Sequence, residues 1–206
     1  MKRQELAHIL RAACDVTGDP DVLVIGSQSI LGTFDEDDLP AAATASIEAD
    51  IAFLDDPRRL KADDVEGAIG EWSSFHSTHG IYAEGVHVET AAFLPDGWRD
   101  RLISWQLRSS EPADPHFLEP HDLAISKLGA GREKDLDFVD ALIGAGMLDV
   151  ATLVQRCALL SDEHSLVRAR ASASSSRATF PDMRTAPHRA AVRAGHPLVL
   201  LGPRTA

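Results

Sequence analysis

Glu48-Ala49-Asp50 puts two carboxylates on alternate residues of a segment that reads as a strand. Side chains two apart on a strand share a face. Ile47, Ala49, Ile51 and Phe53 then fall on the opposite, apolar face. Two acids held side by side repel unless positive charge lies between them. Two readings of the pair are open. One is a solvated polar face; the other is a divalent cation, Mg²⁺ first, gripped by the carboxylates together with the phosphates of a nucleotide. Ser46, two residues before Glu48, is a further polar member of the same face.

Upstream, Val22-Leu23-Val24-Ile25 is a continuous apolar run that suits a buried strand, and Gly26-Ser27 turns the chain after it. Glycine lets a backbone approach a phosphate closely, and successive N–H groups at a helix start bind anions. A strand, a Gly-Ser turn and then paired acids form an ordered series, with room for a metal and a phosphate between turn and acids.

The elements that position these residues follow from periodicity. Leu6, Ile9, Leu10 and Ala13 recur at helical spacing, with Gly18 placed to end that helix. The spacing predicts a second helix over 64–72, with Val65, Ile69 and Trp72 on its buried stripe. Strands are expected at 80–83, 86–93, 102–107 and 115–118, with a turn at Leu94-Pro95-Asp96-Gly97-Trp98. From Glu119-Pro120 the signal turns helical: Leu123 and Leu128 on one stripe, a break at 129–131, then Leu136, Val139 and Ile143. Asp149 suits the N-cap of a last helix carrying Leu153, Val154, Cys157 and Leu160. The fold class is therefore α/β (α+β): a mixed sheet with flanking helices over 1–112, a small helical unit over 113–165, and a tail over 166–206. The tail is rich in Ser, Ala, Arg and Pro, almost without periodicity, and is expected to be disordered.

Charge excludes some functions. The chain carries −12 overall, but residues 171–206 hold five Arg and one Asp, leaving −16 on residues 1–170. Such a body does not bind nucleic acid non-specifically, which requires Lys and Arg to neutralise phosphates. No apolar run reaches bilayer length, and the start is not that of a secretory signal, so no membrane association is expected and cytoplasm is the default. Cys14 and Cys157 sit in apolar helical patterns and read as small core residues. His76 and His79 lack the Cys or acidic partners of a zinc site. Ser27 and Ser29 lack the glycines of a nucleophile elbow, and no Walker-type lysine follows Gly26.

Val24-Ile25-Gly26-Ser27 followed by Ser46-Ile47-Glu48-Ala49-Asp50-Ile51 resembles the signature of the polymerase-beta-like nucleotidyltransferases. More narrowly, it is similar to the small bacterial members related to AbiEii-type toxins of toxin–antitoxin and abortive-infection systems. His121-Asp122-Leu123-Ala124-Ile125-Ser126-Lys127-Leu128, then Gly131-Arg132-Glu133-Lys134-Asp135, resembles that family's helical Lys and Arg-x-Lys-Asp segment. The stretch from Leu94 to Leu102 resembles its intervening turn. The likeness covers roughly residues 5 to 165.

The resemblance implies a Mg²⁺-dependent transfer of an NMP from an NTP to an acceptor hydroxyl, of RNA (a tRNA end included) or of protein. It implies Gly26 and Ser27 at the triphosphate and Glu48 and Asp50 on the metal, with Asp50 central to catalysis. It implies Lys127 at the phosphates, Arg132 and Lys134 adding to the clamp, and Asp135 orienting one of them. An antitoxin partner would follow from the toxin relationship. By residue type alone, Lys127, Arg132 and Lys134 are what solvated helix faces carry, and Asp135 suits a helix start. The chain departs from the family pattern in a longer spacer after Ser27, in Glu for the first metal acid, and in lacking a clear third strand acid. Glu84 and Glu89 are the candidates for that third acid. The alternative is a catalytically inactive nucleotide-binding module of the same fold.

Overall fold

Val22, Leu23 and Val24 are fully buried because their strand, β1 (Asp21–Val24), lies at the middle of a five-stranded sheet. The computed structural model describes residues 1–90, 93–105, 108–160, 170–171 and 174. The other strands are β2 (Glu48–Phe53), β3 (Tyr82–Gly85), β4 (Ile103–Ser104) and β5 (Asp114–Phe117), in spatial order β3-β2-β1-β5-β4. β1 runs antiparallel to β2 and parallel to β5, β2 runs parallel to β3, and β4 runs antiparallel to β5. The mixed sheet with flanking helices matches the expected α/β class.

The connections dictate one special end of this sheet. The carboxyl ends of β1 and β5 lie at the same end as the amino ends of β2 and β3. There the chain leaves β1 through Gly26 into a 3-10 turn, Ser27–Gly32. Two buried polar side chains hold that turn. Ser29 Oγ accepts the Leu118 N–H at 2.6 Å, and Gln28 Nε2 donates to the Ser46 carbonyl at 3.4 Å. So the turn after β1 is tied both to the exit of β5 and to the approach to β2.

Helix α1 (Arg3–Thr17) buries Leu6, Ile9, Leu10 and Ala13, the stripe that sequence spacing marks, and ends at Gly18. It packs with α3 (Leu60–Ile69) on β1 to β3, while the short α2 (Ala41–Thr44) precedes β2 and α4 (Ser74–His79) precedes β3. Past the sheet, Glu119 caps α5 (Pro120–Ala130) by accepting the His121 and Asp122 N–H groups. Gly131, at φ +64, closes α5 in the left-handed conformation that favours glycine, and α6 (Glu133–Gly144) starts at once. Asp149 caps α7 (Val150–Cys157) through the Thr152 N–H at 2.7 Å, as expected. Cys14 and Cys157 are buried thiols, again as expected.

Four local expectations change. Of the strand expected at 86–93, residues 86–90 do not form one: β3 runs through Gly85, Val86 makes the last bond to Ile51, and Val88–Thr90 is a 3-10 turn, residues 91–92 lying outside the described set. Gly85, which lies between the two expected strands, ends β3 and is its close contact with α3. A Cβ there would stand 1.9 Å from the Ala62 carbonyl oxygen, a space only glycine leaves. Of 102–107, only Ile103–Ser104 pairs, with 106–107 outside the described residues. Trp72 is 83% exposed because α3 ends at Ile69 and Gly70 turns the chain before the tryptophan is reached. Ile47 is half-exposed because it precedes β2 and is not part of it.

The tail expected over 166–206 lies almost wholly outside the described residues. Arg170, Ala171 and Ser174 are described: all three are helical, Ala171 and Ser174 are buried, and the Arg170 guanidinium donates to the Leu128 and Gly129 carbonyls.

Candidate active site

Asp50 and Glu48 lie on one face of β2, as period-two alternation requires, with Ala49 and Ile51 buried on the other. Register supplies what spacing along the chain does not. In the parallel β2–β3 pair, Asp50 stands beside Glu84 and Glu48 beside Tyr82. Neighbours in register project to the same face, so Glu84 joins the two acids. One carboxylate oxygen from each of Glu48, Asp50 and Glu84 comes within 4.8 Å of the others.

Gly26 is fixed by Asp50. A Cβ built on Gly26 would lie 1.4 Å from Asp50 Oδ2, inside bonding distance, so only glycine lets the turn pass beneath that carboxylate. We expect Gly26→Ala to displace Asp50 and to lower catalysis about 10²-fold, the scale of a 1 Å misplacement. A structure of the variant and its turnover rate check this together.

The positive side of the site comes from the helical unit. Lys127, buried on α5, and Arg132, at the start of α6, converge on Asp135. Lys127 Nζ lies 3.3 Å from Asp135 Oδ1, and Arg132 donates Nε at 2.6 Å to Oδ2 and Nη2 at 3.2 Å to Oδ1. Asp135 thus contacts Arg132, one of the two cations that the resemblance assigns to it, and Lys127 as well. Burial alone would raise its carboxyl, but the Arg132 hydrogen bonds and the Lys127 charge hold it below the ordinary range. Lys127 Nζ also stands 5.8 Å from the centroid of the Phe138 ring.

These groups enclose a cleft of about 420 Å³. Its walls include Ser27, Ser46, Glu48, Asp50, Glu84, Lys127, Arg132, Lys134 and Asp135, with Phe138, Ala42, Ala43 and Ala45 completing the lining. Gly26 lies in an adjoining hollow of about 160 Å³ that Asp50, Lys127 and Arg132 also line. The residues that the sequence marks for nucleotide and metal therefore line these two adjoining hollows, and of the two candidates for a third acid Glu84 joins them. Ser46 spends its hydroxyl locally, accepting the Glu48 N–H at 3.1 Å, and so shapes the strand start. Glu89 lies apart, in a separate hollow with His87 and Arg99. Sequence reasoning misses Phe138 and Tyr82 altogether; alternation of Tyr82 with Glu84 is the signal that would have found the latter.

The acids bear the mark of an unmet counter-charge. Burial pushes the Asp50 carboxyl up and Glu48 adds to this, with Lys127 opposing. Burial, a hydrogen bond with Glu48 and the nearby acids push Glu84 up to about 7. Three oxygen donors short of positive charge fit a hard divalent cation such as Mg²⁺. The sign of the linkage is testable. A carboxyl raised from 4.5 to about 7 takes up a proton on folding, so stability falls as pH rises through that window. A cation on the ionised acids offsets this loss, whereas protons displace the cation at low pH. We expect Mg²⁺ to raise the melting temperature at pH 8 and to do so far less at pH 5.5; an equal or absent rise at both would count against a metal site.

A mixed sheet with a Gly-Ser turn, strand acids and a facing basic helix pair defines a nucleotidyltransferase-like protein. The model of a family described as nucleotidyltransferase of unknown function (DUF6036) matches residues 4–178, and the chain belongs to that family. Comparison with curated proteins and with solved structures returns no match.

Proposed function

We propose that this protein transfers an NMP from an NTP to an acceptor hydroxyl. The observation that carries this is the facing of three carboxylates and three cations across one cleft, in a chain of the nucleotidyltransferase family. Lys127, Arg132 and Lys134 bind and orient the triphosphate, with Ser27 and the Gly26 backbone on its other side. Glu48 and Asp50, joined by Glu84, would hold Mg²⁺, which when bound supplies charge to the phosphoryl oxygens. The acceptor oxygen forms a bond to the α-phosphorus, the bond to the β-phosphate oxygen breaks, and pyrophosphate leaves. Glu84, which shares the face of Glu48 and Asp50, would take the hydroxyl proton. The third acid that chain spacing lacks is thereby available, which favours a working transferase over an inactive nucleotide-binding module.

For the acceptor, a second cavity of about 310 Å³ shares Glu48 and Glu84 with the cleft and is walled by Glu66, Glu71 and Tyr82. A glutamate-lined approach repels phosphates, so it favours a protein hydroxyl over RNA or tRNA. The relationship to AbiEii-type toxins, with an antitoxin partner, belongs to this same reading, as does a cytoplasmic setting where NTPs are available. Among the described residues no helix is long and apolar enough to cross a membrane. The test supplies α-phosphate-labelled NTPs and Mg²⁺ with either small RNA or protein acceptors. Label that follows the α-phosphate into either product supports transfer. No label, from folded protein that still binds NTP, overturns it.

A further inference from the structure

Tyr82 faces Glu48 across the β2–β3 register, and its hydroxyl donates a 2.8 Å hydrogen bond to Glu48 Oε2. The phenol is held behind as well, its ring centroid 4.7 Å from that of His76 on α4. A glutamate has one more rotatable bond than an aspartate, so strand position alone does not place its carboxylate. Asp50, by contrast, is short and packs directly on Gly26. We propose that Tyr82 is a positioning residue: its hydroxyl pins one oxygen of Glu48 and thereby fixes the carboxylate that the metal shares with Asp50 and Glu84. This rests on reading those three acids as the metal site. Partners that orient a metal ligand through a hydrogen bond typically govern affinity by 10- to 100-fold. The arrangement also explains how a glutamate serves at this position, since the tyrosine removes the freedom that the extra methylene adds.

The test uses the full chain. Tyr82→Phe keeps the ring and its contact with His76 and deletes only the donor. Mn²⁺ binding, followed by the EPR signal of the free ion, is expected to weaken about 10- to 100-fold in Tyr82→Phe. The urea midpoint without metal is expected to stay near the wild-type value. In a Glu48→Gln background, Tyr82→Phe is expected to cost nothing further, because the ligand it orients is gone. Tyr82 is the only tyrosine in the chain, so incorporated 3-fluorotyrosine gives one ¹⁹F resonance that reports this hydroxyl. That resonance is expected to move on Mg²⁺ addition in the wild type and to stay still in Glu48→Gln. Unchanged Mn²⁺ affinity in Tyr82→Phe, or losses that simply add to those of Glu48→Gln, would overturn the proposal and leave Tyr82 a packing residue. Wild-type protein that binds no divalent cation would overturn the metal site itself, which separates the two failures.

Discussion

Asp50→Ala will lower nucleotide transfer on the order of 10³-fold, the scale on which removing a charge-stabilising group acts. It will leave the protein at least as stable as the wild type. Both halves follow from the same position. The carboxylate rests on Gly26, where burial and the Glu48 charge push it up while Lys127, a backbone hydrogen bond and Arg132 pull the other way. A carboxyl raised above its ordinary value in the folded state costs stability as pH rises past the ordinary carboxylate range. Deleting it therefore relieves repulsion while removing a carboxylate that we propose holds the metal. Label transfer and thermal unfolding, run on the same preparation, check the pair of outcomes. Normal transfer by folded Asp50→Ala would remove the assignment of this site.

Asp122→Ala is expected to be the most destabilising single change, by about 3–5 kcal/mol. Asp122 is completely buried near the start of α5. It accepts Arg101 Nε at 2.8 Å and Nη2 at 3.2 Å from the 3-10 turn Trp98–Arg101, and Arg156 Nη1 at 2.9 Å from α7. Three elements meet on one carboxylate. Burial pushes that carboxyl up to about 6, against the pull of Arg101, so the network carries a desolvation cost even in the wild type. The loss in Asp122→Ala is thus the cost of taking the shared carboxylate from two guanidinium groups, Arg101 keeping the Pro95 and Asp96 carbonyls and Arg156 keeping Glu119, and it does not measure what the network contributes. Both arginine side chains keep about a fifth of their surface in water (21% and 22%), which places the effect toward the lower end. Urea unfolding measures it. Replacing all three partners together, Arg101→Met, Asp122→Leu and Arg156→Met, is expected to recover most of the loss. A triple variant as unstable as Asp122→Ala would show that the network itself holds α7 in place.

How much of this was legible beforehand depends on the reach of the interaction concerned. β1, the Gly26 turn and the alternation of Glu48 with Asp50 are local patterns, read directly from order along the chain. The same holds for α5 and α6, whose Lys127, Arg132 and Asp135 cluster because Gly131 joins two helices with almost no loop. The third acid was not legible in this way. Glu84 enters the site through pairing with Asp50 across a connection that includes two helices. Trp72 failed for a related reason: its apolar spacing continues that of α3, but Gly70 ends the helix first. Strand-like composition at 86–93 likewise says nothing about whether a partner strand extends that far.

The register of β3 carries a lesson about change over generations. Residues 54–81 join β2 to β3, and most of that stretch lies away from the cleft. The turns between its helices can lengthen or shorten, provided α3 and α4 keep their packing and the final strand arrives in phase. A slip of one residue would set Ala83 or Gly85 beside Asp50, erasing an acid without altering a single residue. A slip of two would restore the parity of the faces but bring Tyr82 or Val86 to that place. Heredity here guards a phase, and mutations that never touch the cleft can silence it by shifting the count.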